Sequence, residues 1–394
     1  MTDSTQSDSS RRRFLQGAAL SAALGAGGGA GSTALAASTA MPTRPLGRTG
    51  VALPILHLGT AQRLDPVYDK EMHRCFRAGV TVFDTALSYG WGSSHRAIAT
   101  FIEQMGDRRQ LFLTSKSGSG TPTRFAADID RALEQLQTDY LDLYLMHGIN
   151  RLSALAPEFL RAGEQLKARG KTRLFGFSCH GGNVVELMNR AAEVGGVDVI
   201  LFRYNFRRYG DRALNLAIDR CHRAGIGLLA MKTMGSVPSD LEAVARFRSE
   251  QFTLGQAKLK SVWADERIAA IVSEMDSVGV ARENIAAATS PASLAAEEVH
   301  QLNQLAALTD HYACHGCSHL CQNAIRGETA VADQLRYLSY YECYGKGERA
   351  RELYHALPVA ARAFDEDDLA QGTMVCPQGI DIAARLKRAR QVLA

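Results

Sequence analysis

The chain is poor in several features that would assign it at once. Eight cysteines in 394 residues are too few for a disulfide scaffold. Lys plus Arg (45) nearly balances Asp plus Glu (41), for a net charge of +4. No basic block lies outside the extreme N-terminus, so the clustered stripe of a nucleic-acid footprint is missing and no nucleic-acid partner is expected. No Gly-x-Gly-x-x-Gly turn follows an early strand, which argues against a doubly wound open sheet. The uncharged run from Gly17 to about Ala30 is diluted by glycine, whereas a spanning helix wants roughly 20 strongly apolar residues. What is present, 46% hydrophobic and 22% charged residues, is globular composition and excludes disorder, collagen-like repeats and coiled coil for the bulk of the chain.

The N-terminus is read separately from the fold. Ser10-Arg11-Arg12-Arg13-Phe14-Leu15-Gln16, the Ala/Gly/Leu run behind it and the small residues Ala34-Leu35-Ala36 look like a twin-arginine signal peptide over residues 1–37. Such leaders resemble those of proteins exported already folded, often with a cofactor inside. The expectation is delivery by the twin-arginine translocation machinery to the periplasm; the plainer alternative is a basic tail.

From Leu46 to about Ala288, short apolar runs alternate with amphipathic stretches. The runs are Leu53–Leu58, Val80–Asp84, Leu111–Ser115, Leu141–His147, Thr172–Ser178, Val197–Tyr204, Ile226–Lys232 and Ile268–Ser273. Each is nearly continuous in hydrophobicity, as strands buried on both faces are. Between them lie helical patterns such as Arg124–Gln137, with Phe125, Ile129, Leu133 and Leu136 at three- and four-residue steps and Thr123 as a cap. Eight strands separated by helices predict an α/β fold, a (β/α)₈ TIM barrel over residues 43–300, with a small, mostly helical extension over 305–394.

Barrel chemistry sits at the C-terminal ends of the strands. Those ends read Asp84, Lys116, His147, Ser178, Asn205 and Lys232, ionisable or amide side chains closing apolar strands. Singly, each is more often a solvated loop residue; together they converge on one rim.

Leu46-Gly47-Arg48-Thr49-Gly50, Phe83-Asp84-Thr85-Ala86-x-x-Tyr89-Gly90, Thr114-Ser115-Lys116 and Leu141-Asp142-Leu143-Tyr144-Leu145-Met146-His147 resemble, in this order, the aldo-keto reductase family. The resemblance covers about Thr43 to Ala288 and implies NADP(H) bound by a barrel and reduction of a carbonyl to an alcohol. Hydride transfer leaves charge on the carbonyl oxygen, which needs a proton. Tyr89 is the expected donor, but a free phenol titrates near about 10. A cation beside it lowers that value, the part expected of Lys116, with Asp84 holding the ammonium. His147 would bond the substrate oxygen and complete an electrostatic pocket. The resemblance further implies nicotinamide contacts from Ser178 and Asn205, a stacking ring from Tyr204 and phosphate contacts at Lys232. It places the adenosine end at Ser277, Glu283 and Asn284, with Arg282 toward a 2′-phosphate. Departures are Gly90-Trp91-Gly92-Ser93-Ser94-His95 after the tyrosine, and Cys179-His180 after the serine. His180 is either on the substrate side or a helix cap, and Trp263 and Phe252 read as core. The competing reading is a nucleotide-binding redox sensor without turnover.

After Ala288 the composition changes. Pro291–Glu298 reads as a linker and short helix. Cys314-x₂-Cys317-x₃-Cys321 and the distant Cys376-Pro377-Gln378-Gly379-Ile380-Asp381-Ile382 resemble the ferredoxin-like extension on one branch of the family. The bacterial run is Cys-x₂-Cys-x₂-Cys-x₃-Cys-Pro, so the spacing departs from it, and an acidic stretch, Phe364–Leu369, stands where further cysteines would be. Three readings stay open: one 4Fe-4S cluster on Cys314, Cys317, Cys321 and Cys376; zinc, with His315 or His319 joining; or a degenerate helical cap whose leftover cysteines pair as a disulfide. A cluster would make the chain an iron-sulfur electron-transfer oxidoreductase with a redox partner. Cys343 stands apart, and Cys75, Cys179 and Cys221 read as buried packing residues.

Overall fold

The computed structural model describes residues 40–394 apart from position 245; the expected leader lies outside the described residues. A two-stranded antiparallel hairpin, β1 (Thr43–Pro45) and β2 (Ala52–Pro54), comes first. The eight expected runs then supply β3 (Leu56–Gly59), β4 (Val82–Asp84), β5 (Phe112–Ser117), β6 (Leu141–Met146), β7 (Thr172–Cys179), β8 (Val199–Arg203), β9 (Gly227–Met231) and β10 (Ala270–Glu274). They pair in parallel in chain order, and β10 pairs back onto β3 to close the barrel. The first run divides between β2 and β3. Pro54 lacks an N–H and cannot continue a ladder, and at Ile55 the amide turns to bond Pro42 O at 2.9 Å.

The helix expected at Arg124–Gln137 spans Pro122–Leu136, and its cap is Thr121, not Thr123. Proline at the first helical position has φ preset and no N–H to satisfy, so the start moves two residues upstream. The hairpin plugs the N-terminal end of the barrel. Leu46 and Leu53 pack with Val82, Phe112, Leu174, Val199, Leu229 and Ala270. Gly47 (φ +56) lets the chain pass so close that a Cβ would sit 2.3 Å from Gly225 O.

Successive strand residues point to opposite faces, and the packing shows which face is which. On β8, Val199 and Leu201 belong to the inner cluster, Ile200 and Phe202 to the layer between sheet and helices. Likewise Leu143 and Leu145 face in on β6, and Tyr144 and Met146 face out. Continuing each alternation to the C-terminal rim places Asp84, Lys116, His147, Ser178, Arg203 and Glu274 on the inside.

The tail carries the helices Ala296–Thr309, Ser318–Ala324, Val331–Tyr344, Gly347–His355, Val359–Arg362, Glu366–Met374 and Ile382–Leu393. The first runs unbroken across the division expected between residues 300 and 305 and packs Leu302 and Leu305 against Phe206 and Phe252. The others build two small cores, both fed by Val331–Tyr344: Val331 and Leu335 meet Cys321, Leu369 and Leu386, while Tyr337 and Leu338 meet Tyr354 and Leu393. Among the described residues no helix is long and apolar enough to cross a membrane.

The tail docks on the C-terminal rim through backbone contact. Gly182 N donates to Gly316 O at 2.5 Å, and a Cβ on Gly182 would lie 2.2 Å from Cys317 Cα. A backbone neighbour cannot swing aside as a side-chain tip would. Gly182→Ala is therefore expected to destabilise by about 1–3 kcal/mol and to expose the 310–330 segment to protease while the barrel's circular dichroism is retained. Urea unfolding and limited proteolysis together check this.

Candidate active site

Four residues on three strand ends and one turn meet at the mouth. Lys116 Nζ donates to Asp84 Oδ1 at 2.5 Å and to Thr85 O at 2.8 Å, and lies 3.5 Å from Tyr89 Oη. The Tyr89 and His147 rings meet edge to face at 5.7 Å. Lys116 is 1% exposed and Asp84 3%, so this ion pair is cut off from water. His147 is fixed by its amide, which donates to Ser117 O at 2.8 Å.

Tyr89 opens a single 3₁₀ turn, Tyr89–Gly92, in which Gly90, Trp91 and Gly92 all have positive φ (52°, 53° and 86°). For Trp91 that conformation is strained, and its side chain is 83% exposed. Beneath the turn His95 is buried, its Nδ1 2.8 Å from Gln135 Oε1 and its Nε2 2.9 Å from Ser115 Oγ. That contact braces the strand bearing Lys116.

Burial governs the titration of the site. It pushes Asp84 up and draws Lys116 down from their ordinary values, while their mutual attraction opposes both shifts. The expected lowering of Tyr89 by Lys116 is not found. Desolvation, with Asp84 and Glu274 adding repulsion, holds the phenol well above its usual value. The ammonium is drawn toward Asp84 and Thr85 O, so its field at the phenol is largely cancelled. Tyr89 is thus a fully protonated donor. His147 is held neutral, its value lowered to about 3 by burial and by Lys116 and Arg336.

The other expected contacts divide. Ser178 faces the mouth, and its Oγ accepts from Gly148 N at 2.9 Å. Asn205 sits at the rim, Nδ2 donating to Lys232 O at 2.9 Å and Oδ1 accepting from Arg207 N at 3.1 Å. Ser277 caps the helix Val278–Thr289, Asn284 Nδ2 donates to Ser273 Oγ at 3.0 Å, and Glu283 accepts from Thr253.

One expectation fails. Tyr204 follows the outward parity of β8, is 1% exposed, and gives its hydroxyl to Asp265 at 2.8 Å; it cannot stack in the mouth. Arg282, on the same helix as Glu283 and Asn284, is exposed on the outer surface beside Arg74 and Arg77. Trp263 and Phe252 are core as expected. His180 is half-buried, with its Nδ1 buried and unpartnered, and feels Arg336, Lys232 and Arg203, which puts it with the mouth.

Sequence reasoning missed Arg203, Arg336 and Tyr340. Arg203 Nη1 donates to Cys314 O at 2.5 Å, and its signal was available: an arginine two places beyond inward Leu201. Tyr340, on the tail helix, accepts from Lys232 Nζ at 2.7 Å. Burial would raise its phenol, but Lys232 and Arg336 outweigh that and hold it below its ordinary value. Lys346 extends the docking, donating to Glu274 at 2.5 Å and pairing with Asp276 at 3.1 Å. Nothing in the local sequence announces these long-range partners.

The distant cysteines do converge. Cys314, Cys317, Cys321 and Cys376 line one small apolar pocket with Leu335 and Ile380. The disulfide alternative is not formed at Cys314, Cys317 or Cys376, whose thiols are free. Among the described residues no three His, Cys, Asp or Glu side chains stand close enough together to hold a single metal ion.

Comparison with known proteins agrees with this architecture. The sequence profile described as "Aldo/keto reductase family" matches residues 57–304. L-galactose dehydrogenase of Arabidopsis thaliana is 26% identical over 296 residues, 66% of this chain and 92% of that protein. Methylglyoxal reductase DkgB of Salmonella typhi is 28% identical over 154 residues, 38% of this chain and 55% of its own length. Among solved structures, the thermostable aldo-keto reductase Tm1743, bound to the inhibitor epalrestat, superposes with a TM-score of 0.54 at 26% identity, over 67% of this chain and all of that one (100%). The holo aldo-keto reductase AKR11C1 from Bacillus halodurans gives 0.57 at 20% identity, over 67% and 96%, a likeness of fold.

The buried imidazoles give the protein a defined acid sensitivity. His57, on β3, and His147 are lowered to about 3, and His95 to about 4. In the unfolded chain each would take up a proton near about 6.5. Their contribution is complete above that pH and is lost as pH falls toward the folded values, because only the unfolded state binds the protons. Stability should therefore decline from about pH 6.5 downward, and His95→Gln should flatten that slope. Urea midpoints between pH 4 and 8 are the measurement; an unchanged slope in the variant counts against it.

Proposed function

The chain belongs to the aldo/keto reductase family, and from that premise we propose that it interconverts a carbonyl compound and its alcohol with NADP(H), Tyr89 handling the proton. The observation that carries this reading is the meeting of Tyr89, Lys116, Asp84 and His147 at the barrel mouth. Bound NADP(H) supplies the hydride that adds to the carbonyl carbon while the C=O π pair moves to oxygen. Tyr89 gives its proton to that oxygen, and its phenol, kept protonated by burial, is suited to the acid role. The phenolate left behind faces Lys116, whose charge is then no longer cancelled there, and is reprotonated from solvent. Asp84 keeps the ammonium in place, and the neutral imidazole of His147 orients the carbonyl oxygen.

The residues present fit the cofactor in part. Ser178 and Asn205 face or rim the mouth for the nicotinamide end. Lys232, with no carboxylate paired to it, suits a phosphate; Ser277 at the cap of the helix Val278–Thr289, with Glu283 and Asn284 along it, suits the adenosine end. Tyr204 does not contribute, and exposed Arg282 remains free to meet a 2′-phosphate. The intact set of four weighs against a sensor without turnover. We also propose that the leader directs export by the twin-arginine route to the periplasm, where a nucleotide carried inside would need a second substrate or a redox partner to turn over.

For the tail, the convergence of the four cysteines favours a 4Fe-4S cluster. A single zinc needs its donors gathered on one point at about 2.3 Å, whereas these thiols surround a cavity. In two-cluster ferredoxins the cysteine before proline serves the cluster whose other ligands come from the distant run. Cys376-Pro377 with Cys314, Cys317 and Cys321 follows that logic. The cluster would supply one-electron transfer.

Two experiments test these readings. With methylglyoxal as substrate and NADPH, Tyr89→Phe should lower kcat by about 10²–10⁴-fold; a variant as active as the parent removes Tyr89 from the role. Protein purified without oxygen should contain about four irons and as many sulfides per chain, lost in Cys376→Ser. Iron-free protein after reconstitution with iron and sulfide eliminates the cluster.

A further inference from the structure

At the same C-terminal rim lies a chamber between the ends of β8 and β9 and the tail helix Val331–Tyr344. Arg203, Arg207, Arg208, Lys232, Arg336 and Arg385 line it, and no Asp or Glu is on its wall. Four of these cations have a carboxylate behind them: Arg207 with Asp310 at 3.1 Å, Arg208 with Asp211 at 2.6 Å, Arg336 with Asp333 at 2.6 Å and Arg385 with Glu342 at 2.8 Å. Among the described residues no ion pair is made by Arg203 or Lys232. Lys232 is bonded to the Tyr340 hydroxyl. Arg203 has one bond, to a backbone carbonyl, and its Nε is buried without an acceptor.

A guanidinium taken from water without a counter-ion is costly. An arriving anion removes that cost, and a carboxylate matches the planar fork with two parallel hydrogen bonds. The position is informative too. Arg203 points inward from the C-terminal end of β8, and its charge bears on His180 together with those of Arg336 and Lys232, Arg336 acting also on His147. The cations therefore stand on the histidine side of the mouth, where the substrate's oxygen is oriented. Lys232 is on β9's side, the position read above for a cofactor phosphate.

We infer that the carbonyl substrate carries an acidic group, a carboxylate, which enters this chamber and is held by Arg203 with Arg336 beside it. The substrate class is an oxo acid, and the corresponding alcohol a hydroxy acid. This rests on the carbonyl–alcohol reading above.

The test compares 4-carboxybenzaldehyde with its uncharged match, 4-formylbenzamide. The acid should be preferred in kcat/KM, and Arg203→Met should reduce that preference by between about 10- and 100-fold, Arg203→Lys restoring part of it. Arg336→Met should reduce it as well, without touching the bond from Arg203 that holds the tail. No preference in the parent, or a preference unmoved by Arg203→Met, overturns the inference. If neither aldehyde reacts, the carbonyl–alcohol reading is at fault, and calorimetry with unreactive terephthalate decides the chamber separately. Binding of terephthalate but not terephthalamide, lost in Arg203→Met, sustains the acid site. Inorganic pyrophosphate binding in its place, dependent on Arg203, assigns the chamber to a nucleotide's phosphates and overturns the substrate claim.

Discussion

A strand in a closed parallel barrel is buried on both faces, so each side chain has only two places to go: into the barrel or into the layer under the helices. This two-residue alternation controls everything at the mouth. It turns Asp84, Lys116 and His147 toward one another from three neighbouring strands, and with Tyr89 from the turn after β4 they form the site. A shift of one residue in any of these three strands would exchange a group of the candidate site for a core one. Lys116 shows how strongly the frame holds, because an ammonium with 1% exposure persists there only with Asp84 and Thr85 O fixed around it.

The same alternation explains what could and could not be read from the chain. The eight apolar runs are legible because buried parallel strands are continuously hydrophobic, and their polar ends mark the rim. Tyr204 was misread because an aromatic at a strand end looks available for stacking, yet its parity matches Phe202, and the residue that enters the mouth is Arg203. The boundary at Ile55 and the cap at Thr121 turn on proline, whose missing N–H shifts an element by one or two positions. Partners from the tail were illegible for a different reason. Arg336 and Tyr340 lie on a helix whose own pattern is that of a core element, and only its docking gives those side chains a site to face.

Burial also changes the expected chemistry of the phenol. A nearby cation lowers a phenol only when its field is not already committed. Asp84 claims the ammonium of Lys116, and dehydration then dominates Tyr89. Tyr340 shows the opposite balance, since Lys232 donates to its hydroxyl and no carboxylate competes for that cation. Two phenols at one mouth are thus tuned in opposite senses by whether the neighbouring lysine is otherwise engaged.

The helix Ile382–Leu393 carries Arg385 into the chamber wall, where Nη1 donates to the Tyr312 hydroxyl at 2.7 Å and Nη2 to Glu342 at 2.8 Å. Its Ile382 and Leu386 also complete the core beside the cysteine cavity. During synthesis the barrel can close once β10 has left the ribosome, more than a hundred residues before the end of the chain. The chamber wall is complete only when the helix Ile382–Leu393 is in place as well. A chain lacking this helix would therefore keep a closed barrel with an unfinished roof, so completion of the site lags completion of the barrel.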